Sequence, residues 1–229
     1  MTLAGVDGCK GGWIVALADQ WPCTKAPLRI EFYSNFENVL KATAECCAVA
    51  VDMPIGLPDD SEPRACDLAA RVEMGGQRSS VFLAPPRCCL DAKDPREFQT
   101  LHRAVRGVGA GLPVWGIVPK MLEVNLAFER DPDLEERVFE FHPELAWRRL
   151  AIGRQLASKK TAAGILERIG LLNEVSCQWA PQSTRLAEGK PAIDDVLDAI
   201  VGLAAAHAFL ACPRQDAPRN SKGLLMRIH

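Results

Sequence analysis

The chain opens with two short apolar runs on either side of a turn. Residues 3–7 end in Asp-Gly, the segment Gly8-Cys9-Lys10-Gly11-Gly12 tolerates positive φ, and residues 13–18 are apolar again. The pattern predicts a β-hairpin. Residues 28–33 alternate apolar and polar positions and predict a third strand. Ser34 or Asn35 then caps a helix reaching about Cys46. Residues 48–53 are apolar except for Asp52, as in a buried central strand, and Pro54 and Pro58 end it.

Residues 54–136 change character. The spacing predicts helices over 62–74, 95–106 and 117–129, the last starting near Pro119. A Pro- and Cys-rich loop at 79–90 and a Gly-rich one at 107–113 lie between them. With no repeat and no low-complexity linker, this block reads as a helical insertion within a single domain spanning 1–229. Residues 137–142 alternate again and predict a fifth strand, stopped by Pro143. Short helices follow, one to about Leu150 and one over 159–169. A strong, almost wholly apolar helix over 192–211 comes next, then a polar tail at 213–229. Three antiparallel strands followed by strands alternating with helices predict an α/β fold. Its mixed five-stranded sheet carries helices on both faces and a large helical insertion between strands 4 and 5.

Composition narrows the function classes. About half of the residues are hydrophobic, enough for one substantial core. The net charge of −2 supplies no global attraction to nucleic acid, so such binding needs local basic groups. The most apolar stretch, 199–211, is too short to cross a bilayer, and the first residues lack a basic segment followed by an apolar one, so a secretory signal is not expected. Nine cysteines, an odd number without C-x-x-C, read as free thiols in a reducing cytoplasm.

The candidate chemistry is acidic. Asp7, Asp52, Glu140 and the group Asp194, Asp195 and Asp198 each end an apolar strand or open an apolar helix. Carboxylates are costly to bury alone, and oxygen donors of this kind suit Mg²⁺ or Mn²⁺. Structural roles compete at each position. Asp7 fits a hairpin turn, Asp194 a helix N-cap, and Glu144 the first turn of a helix after Pro143. His142, a lone histidine, fits a structural role as well as a ligand or proton shuttle. Asp195 and Asp198, one turn apart on one face, are unfavourable together unless a cation lies between them. Arg78, Lys120, Lys159 and Lys160 are candidate phosphate contacts. The Lys159-Lys160-Thr161 run opens a predicted helix, where a phosphate is well placed.

Several motifs taken together resemble the DUF429 family, described as predicted nucleases with an RNase H-like fold. They are Gly5-Val-Asp-Gly-Cys-Lys-Gly-Gly-Trp13, Val51-Asp-Met-Pro-Ile-Gly-Leu-Pro58, Arg64-x-Cys-Asp-x-x-Ala-Arg71, Arg78-Ser-Ser-Val-Phe82, Glu140-x-His-Pro-Glu144, Lys159-Lys-Thr161 and Asp194-Asp-x-x-Asp-Ala199. The resemblance runs in order over nearly the whole chain. It implies an RNase H-like core in which Asp7, Asp52, Asp195 and Asp198 bind metal and Glu140 joins them in catalysis. His142 and Glu144 are further candidates. Asn125 stands where the pattern leads one to expect an acidic residue. The resulting expectation is a Mg²⁺- or Mn²⁺-dependent nuclease using two ions on a nucleic-acid substrate. It would work in the cytoplasm without a membrane, and a homodimer is left open. A non-catalytic nucleotide or nucleic-acid binder on the same fold is the alternative, and a small-molecule phosphotransferase the third.

Overall fold

The computed structural model describes residues 1–23, 28–175, 191–212 and 216–229. They fall into two compact units, one built from Met1–Asp52, Glu136–Arg214 and His229, the other from Met53–Glu135 and Gln215–Ile228.

The first unit contains the sheet. Strands β1 (Leu3–Cys9) and β2 (Gly12–Ala18) form the expected hairpin, and β3 (Arg29–Tyr33) pairs antiparallel with β2. Helix α1 (Phe36–Ala42) follows, its N-terminus capped by the Asn35 side chain, which accepts from the Asn38 N–H at 2.9 Å. Strand β4 (Ala48–Val51) runs parallel to β1, and β5 (Val138–Glu140) parallel to β4. The order is β3-β2-β1-β4-β5, a mixed α/β sheet of five strands as the sequence predicts.

Alternation along the strands sorts the two faces. Leu3 and Cys9 of β1, Ile14 and Ala16 of β2, Ala48 and Ala50 of β4, and Phe139 share one core with helix α7 (Ile193–Ala211). Trp13 points the other way and packs against Phe36 of α1, ring centroids 5.1 Å apart. Helices therefore cover both faces, which explains why β2 is apolar at every position and buried throughout. Helix α7 is apolar nearly all round because it is the central core helix, packed across β1, β2 and β4. It meets β1 backbone to backbone: a Cβ added at Gly5 would lie 2.1 Å from the Ala199 carbonyl oxygen. The C-terminal His229 also belongs to this unit. Its N–H donates to the Glu140 carbonyl, and its ring stands edge-on to Phe139 and Phe209.

The second unit holds α2 (Ala65–Met74), α3 (Pro95–Arg106) and α4 (Leu112–Arg130). Two knots of buried polar groups organise it. Arg64 and Asp67 are both about 1% exposed. They form a salt bridge whose remaining capacity goes to the Ile55 carbonyl and the Ala84 N–H, so neither charge is stranded. Asn125 is buried. It accepts from the Gly56 N–H at 3.1 Å and donates to the carbonyls of Pro54 at 2.9 Å and Met121 at 2.8 Å. An ionised carboxylate cannot donate, so the acidic residue expected at this position would lose the bond to the Pro54 carbonyl; the Met121 carbonyl, one turn back in the same helix, would keep only its helical N–H. Helix α4 starts at Leu112, earlier than predicted, with Pro113 in its first turn and Pro119 inside it. The predicted 79–90 loop contains a 3-10 turn at Arg87–Asp91. Of the tail, 213–215 lie outside the described residues; beyond them Asn220 donates to the Leu57 carbonyl and Ser221 to Asp59.

No helix among the described residues is long and apolar enough to cross a membrane. Among the described residues, cysteines 9, 23, 46, 47, 66, 88, 89 and 212 form no disulfide with one another.

Candidate functional site

Three carboxylates of the first unit converge at the C-terminal ends of the parallel strands. Asp7 lies on the same face of β1 as Gly5, the face covered by α7. Asp52 follows β4 on the face of Ala48 and Ala50, and its N–H donates to the Val6 carbonyl, extending the β1–β4 ladder by one step. Asp198 is the residue of α7 directly before Ala199, whose carbonyl rests against Gly5. The close approach of helix and strand thus carries Asp198 to the strand ends. Asp198 is 0% exposed, Asp7 is buried and Asp52 retains some exposure.

One cation stands among them. Lys159 pairs with Asp198 Oδ2, and its charge also acts on Asp52 and Asp7. Its position is built into the backbone. Thr161 caps α6 (Ala162–Glu174) by accepting from the Gly164 N–H at 3.2 Å and donates to the Ser158 carbonyl at 2.8 Å. A Cβ on Gly164 would lie 2.1 Å from that same carbonyl, so only glycine lets the 157–161 turn seat on the helix. Arg168 donates to the Ala157 carbonyl at 3.0 Å and completes the anchor. Lys159 and Lys160 therefore precede α6, whereas the sequence predicts a helix that begins with them at 159.

The second oxygen of Asp198 is also assigned. Trp147, fully buried on α5 (Pro143–Leu150), donates Nε1–H to Oδ1 at 2.8 Å. The Arg168 guanidinium lies 5.6 Å from the centre of the Trp147 ring, and its Nη2 donates to both Glu144 oxygens at 2.9 and 3.0 Å. Glu144, a candidate for chemistry from sequence, thus has both oxygens engaged in holding the ring that holds Asp198. Nothing in the sequence marks Trp147 or Arg168 for this role, because their partners lie 51 and 24 residues away.

Electrostatics follow from three acids and one base. Burial pushes the Asp7 carboxyl well above the ordinary range, and Asp52 and Asp198 push it further, against Lys159. Burial raises Asp52 to about 7, with Asp198 adding to the effect and Lys159 opposing it; the Asp7 and Asp52 carboxyls share a hydrogen bond. Burial disfavours the Lys159 ammonium, but Asp198, Asp52 and Asp7 outweigh it and hold the ammonium charged above its usual range. Three carboxyl groups thus face one ammonium, and the Asp7–Asp52 hydrogen bond holds a proton between the two that lack a dedicated cation.

The remaining candidates separate from this group. Asp195 spends its carboxylate on the α7 start, accepting from the Ala192 N–H at 2.9 Å, and burial raises its pKa. Ala192, not Asp194, is the N-cap residue; Asp194 is buried and pairs with Lys160. Glu140 is registered opposite Val51, so alternation turns it to the sheet face away from Asp52, although its charge still raises Asp52. His142 is the N-cap residue of α5 and makes no side-chain cap. Arg78 and Lys120 belong to the second unit; Arg78 is exposed and Lys120 partly so. Among the described residues, no three His, Cys, Asp or Glu side chains are arranged as a ready metal cage.

An α/β domain with a carboxylate–lysine cluster at its parallel strand ends is the class that fold and site define. Residues 5–219 match the family described as "Protein of unknown function (DUF429)", and the chain belongs to that family. No curated protein and no solved structure matches the chain.

Proposed function

We propose that the chain is a Mg²⁺- or Mn²⁺-dependent nuclease that hydrolyses phosphodiester bonds of nucleic acid at the Asp7–Asp52–Asp198 cluster. The observation that carries this reading is the convergence of three carboxyl groups on one ammonium in an oxygen-only donor set, with a proton held between Asp7 and Asp52 where a cation could replace it. A hard divalent cation matches that set in donor type and in charge. The sheet order and strand directions are compatible with an RNase H-like fold, and crevices beyond the carboxyl ends of parallel strands commonly bind ligands.

Asp7 and Asp52 are the residues that would hold the ion. When bound, it supplies polarisation of a phosphoryl oxygen and an activated water. Asp198, gripped by Trp147, orients Lys159, whose side chain is 31% exposed and can present its remaining protons to a phosphate oxygen. Lys160, 70% exposed, offers a second such contact.

The test is Mn²⁺-dependent cleavage of a panel of branched, hybrid and single-stranded nucleic acids by wild type and Asp7→Asn, with folding checked by circular dichroism. Loss of at least about 100-fold in the folded variant is expected. Equal cleavage by both proteins would remove this site from the reaction. The second reading, a binder that takes a nucleotide or a nucleic-acid end without turnover, is favoured by one observation: Lys159 and Trp147 already satisfy Asp198. Binding of such a ligand by wild type, with no cleavage under any metal, would put that reading first.

A further inference from the structure

We infer that Lys159 is the resident second cation of the cluster, so that the site takes one divalent ion, at Asp7 and Asp52, in place of two. This rests on the metal-dependent reading above and fixes the number of ions and the role of Asp198 within it. Lys159 is then a positioning residue for the ion, and Asp198 its counter-charge rather than a metal ligand.

The argument is geometric. Asp198 is wholly buried, and each of its oxygens has a dedicated donor: Trp147 Nε1 on one and the Lys159 ammonium on the other. The ammonium did not arrive there by side-chain freedom alone. Its backbone is seated by the Thr161 cap, by the bare Cα of Gly164 and by the Arg168 bond to Ala157. The ring on the other oxygen is held in turn by Arg168 and Glu144. Two supports, joined through Arg168, thus converge on one carboxylate, which is a costly arrangement for a group that must release its partner to a metal. An ion that took over Asp198 would leave the Lys159 ammonium beside it and repelled by it. Asp7 and Asp52, which bond to each other through a shared proton, are the two acids without a dedicated cation. Once the ion displaces the proton that Asp7 and Asp52 share, one divalent ion plus one ammonium balances three carboxylates; two ions plus the ammonium would overshoot by two.

The experiment counts Mn²⁺ per chain, by calorimetry and by electron paramagnetic resonance of free Mn²⁺, for wild type, Lys159→Met, Lys159→Arg and Lys159→Met/Asp198→Asn. Wild type is expected to bind one ion. Lys159→Met is expected to bind two, the first about tenfold more tightly because a like charge has gone. Lys159→Arg should stay at one. The double variant, which removes both charges and so protects the fold if Lys159→Met is unstable, should also return to one. Two ions on wild type would overturn the inference and leave the metal-dependent reading standing. One ion on a folded Lys159→Met protein would overturn it too, as would two on the double variant. No binding by wild type would instead remove the metal-dependent reading and this inference with it.

Discussion

Gly5→Ala is expected to leave no stably folded protein. The added Cβ would lie 2.1 Å from the Ala199 carbonyl oxygen and 2.8 Å from Gly202 Cα. Both are backbone atoms of α7, so no side chain can swing aside. Relief requires the helix to move off β1, the strand at the centre of the sheet, and off the core it shares with β2 and β4. Overpacking of this kind typically costs 1–3 kcal/mol where side chains can adjust, and more where they cannot. A loss of about 4 kcal/mol or more is expected here, a large share of the 5–15 kcal/mol that holds a typical domain together. Urea unfolding followed by circular dichroism checks it. A variant within about 1 kcal/mol of wild type would mean that helix and strand do not make this contact. The same contact seats Asp198 over the strand ends, so any folded remnant of Gly5→Ala should also bind Mn²⁺ poorly.

Asp52→Asn is expected to stabilise the metal-free protein, and only above mildly acidic pH. An unfolded Asp titrates near 3.9, whereas burial and Asp198 raise the folded Asp52 to about 7. Below pH 4 both states hold the proton and Asp52 contributes nothing. Between about 4 and 7 the unfolded chain releases its proton while the folded one keeps it, so stability falls as pH rises. By pH 8 the full penalty applies, about 2–4 kcal/mol for a shift of this size shared with Asp7. Asparagine removes the charge at similar shape. The stability difference between variant and wild type in EDTA should therefore be near zero at pH 4 and grow to that value at pH 8. Mn²⁺ should recover the loss in wild type and not in the variant. A difference that does not change with pH would show that Asp52 is not in a charge-deficient cluster.

What the sequence made legible was set by local pattern. Alternation and turn chemistry located all five strands, and the apolar run after Asp198 identified the core helix. The helix starts were harder. Pro119 reads locally as a beginning, yet Pro113 already supplies the first-turn proline of α4. Lys159 and Lys160 read as the opening of a helix because the Thr161 cap, which ends the turn before it, is a geometric fact about Gly164 and Ser158. Asp7, Asp52 and Asp198 were recognisable because an acid at the edge of an apolar run needs a reason. Glu140 met the same criterion, but strand parity relative to Val51 turns it to the opposite face, and parity across a pair depends on register, which one sequence does not reveal. The most consequential omission was the pairing of Lys159, a phosphate candidate from sequence, with Asp198. Lysine next to lysine before a helix looks like a solvated face, and only the fold brings Lys159 to Asp198, 39 residues away. Trp147 and Arg168 were invisible for the same reason.

The central claim is that this cluster binds a divalent cation through Asp7. Calorimetric titration of Mn²⁺ into wild type and Asp7→Asn at pH 8, where Asp52 is ionised, tests it most directly. Saturable binding by wild type, weakened at least about tenfold in a folded Asp7→Asn protein, is the predicted result. No binding by wild type, or equal binding by both proteins, would contradict it.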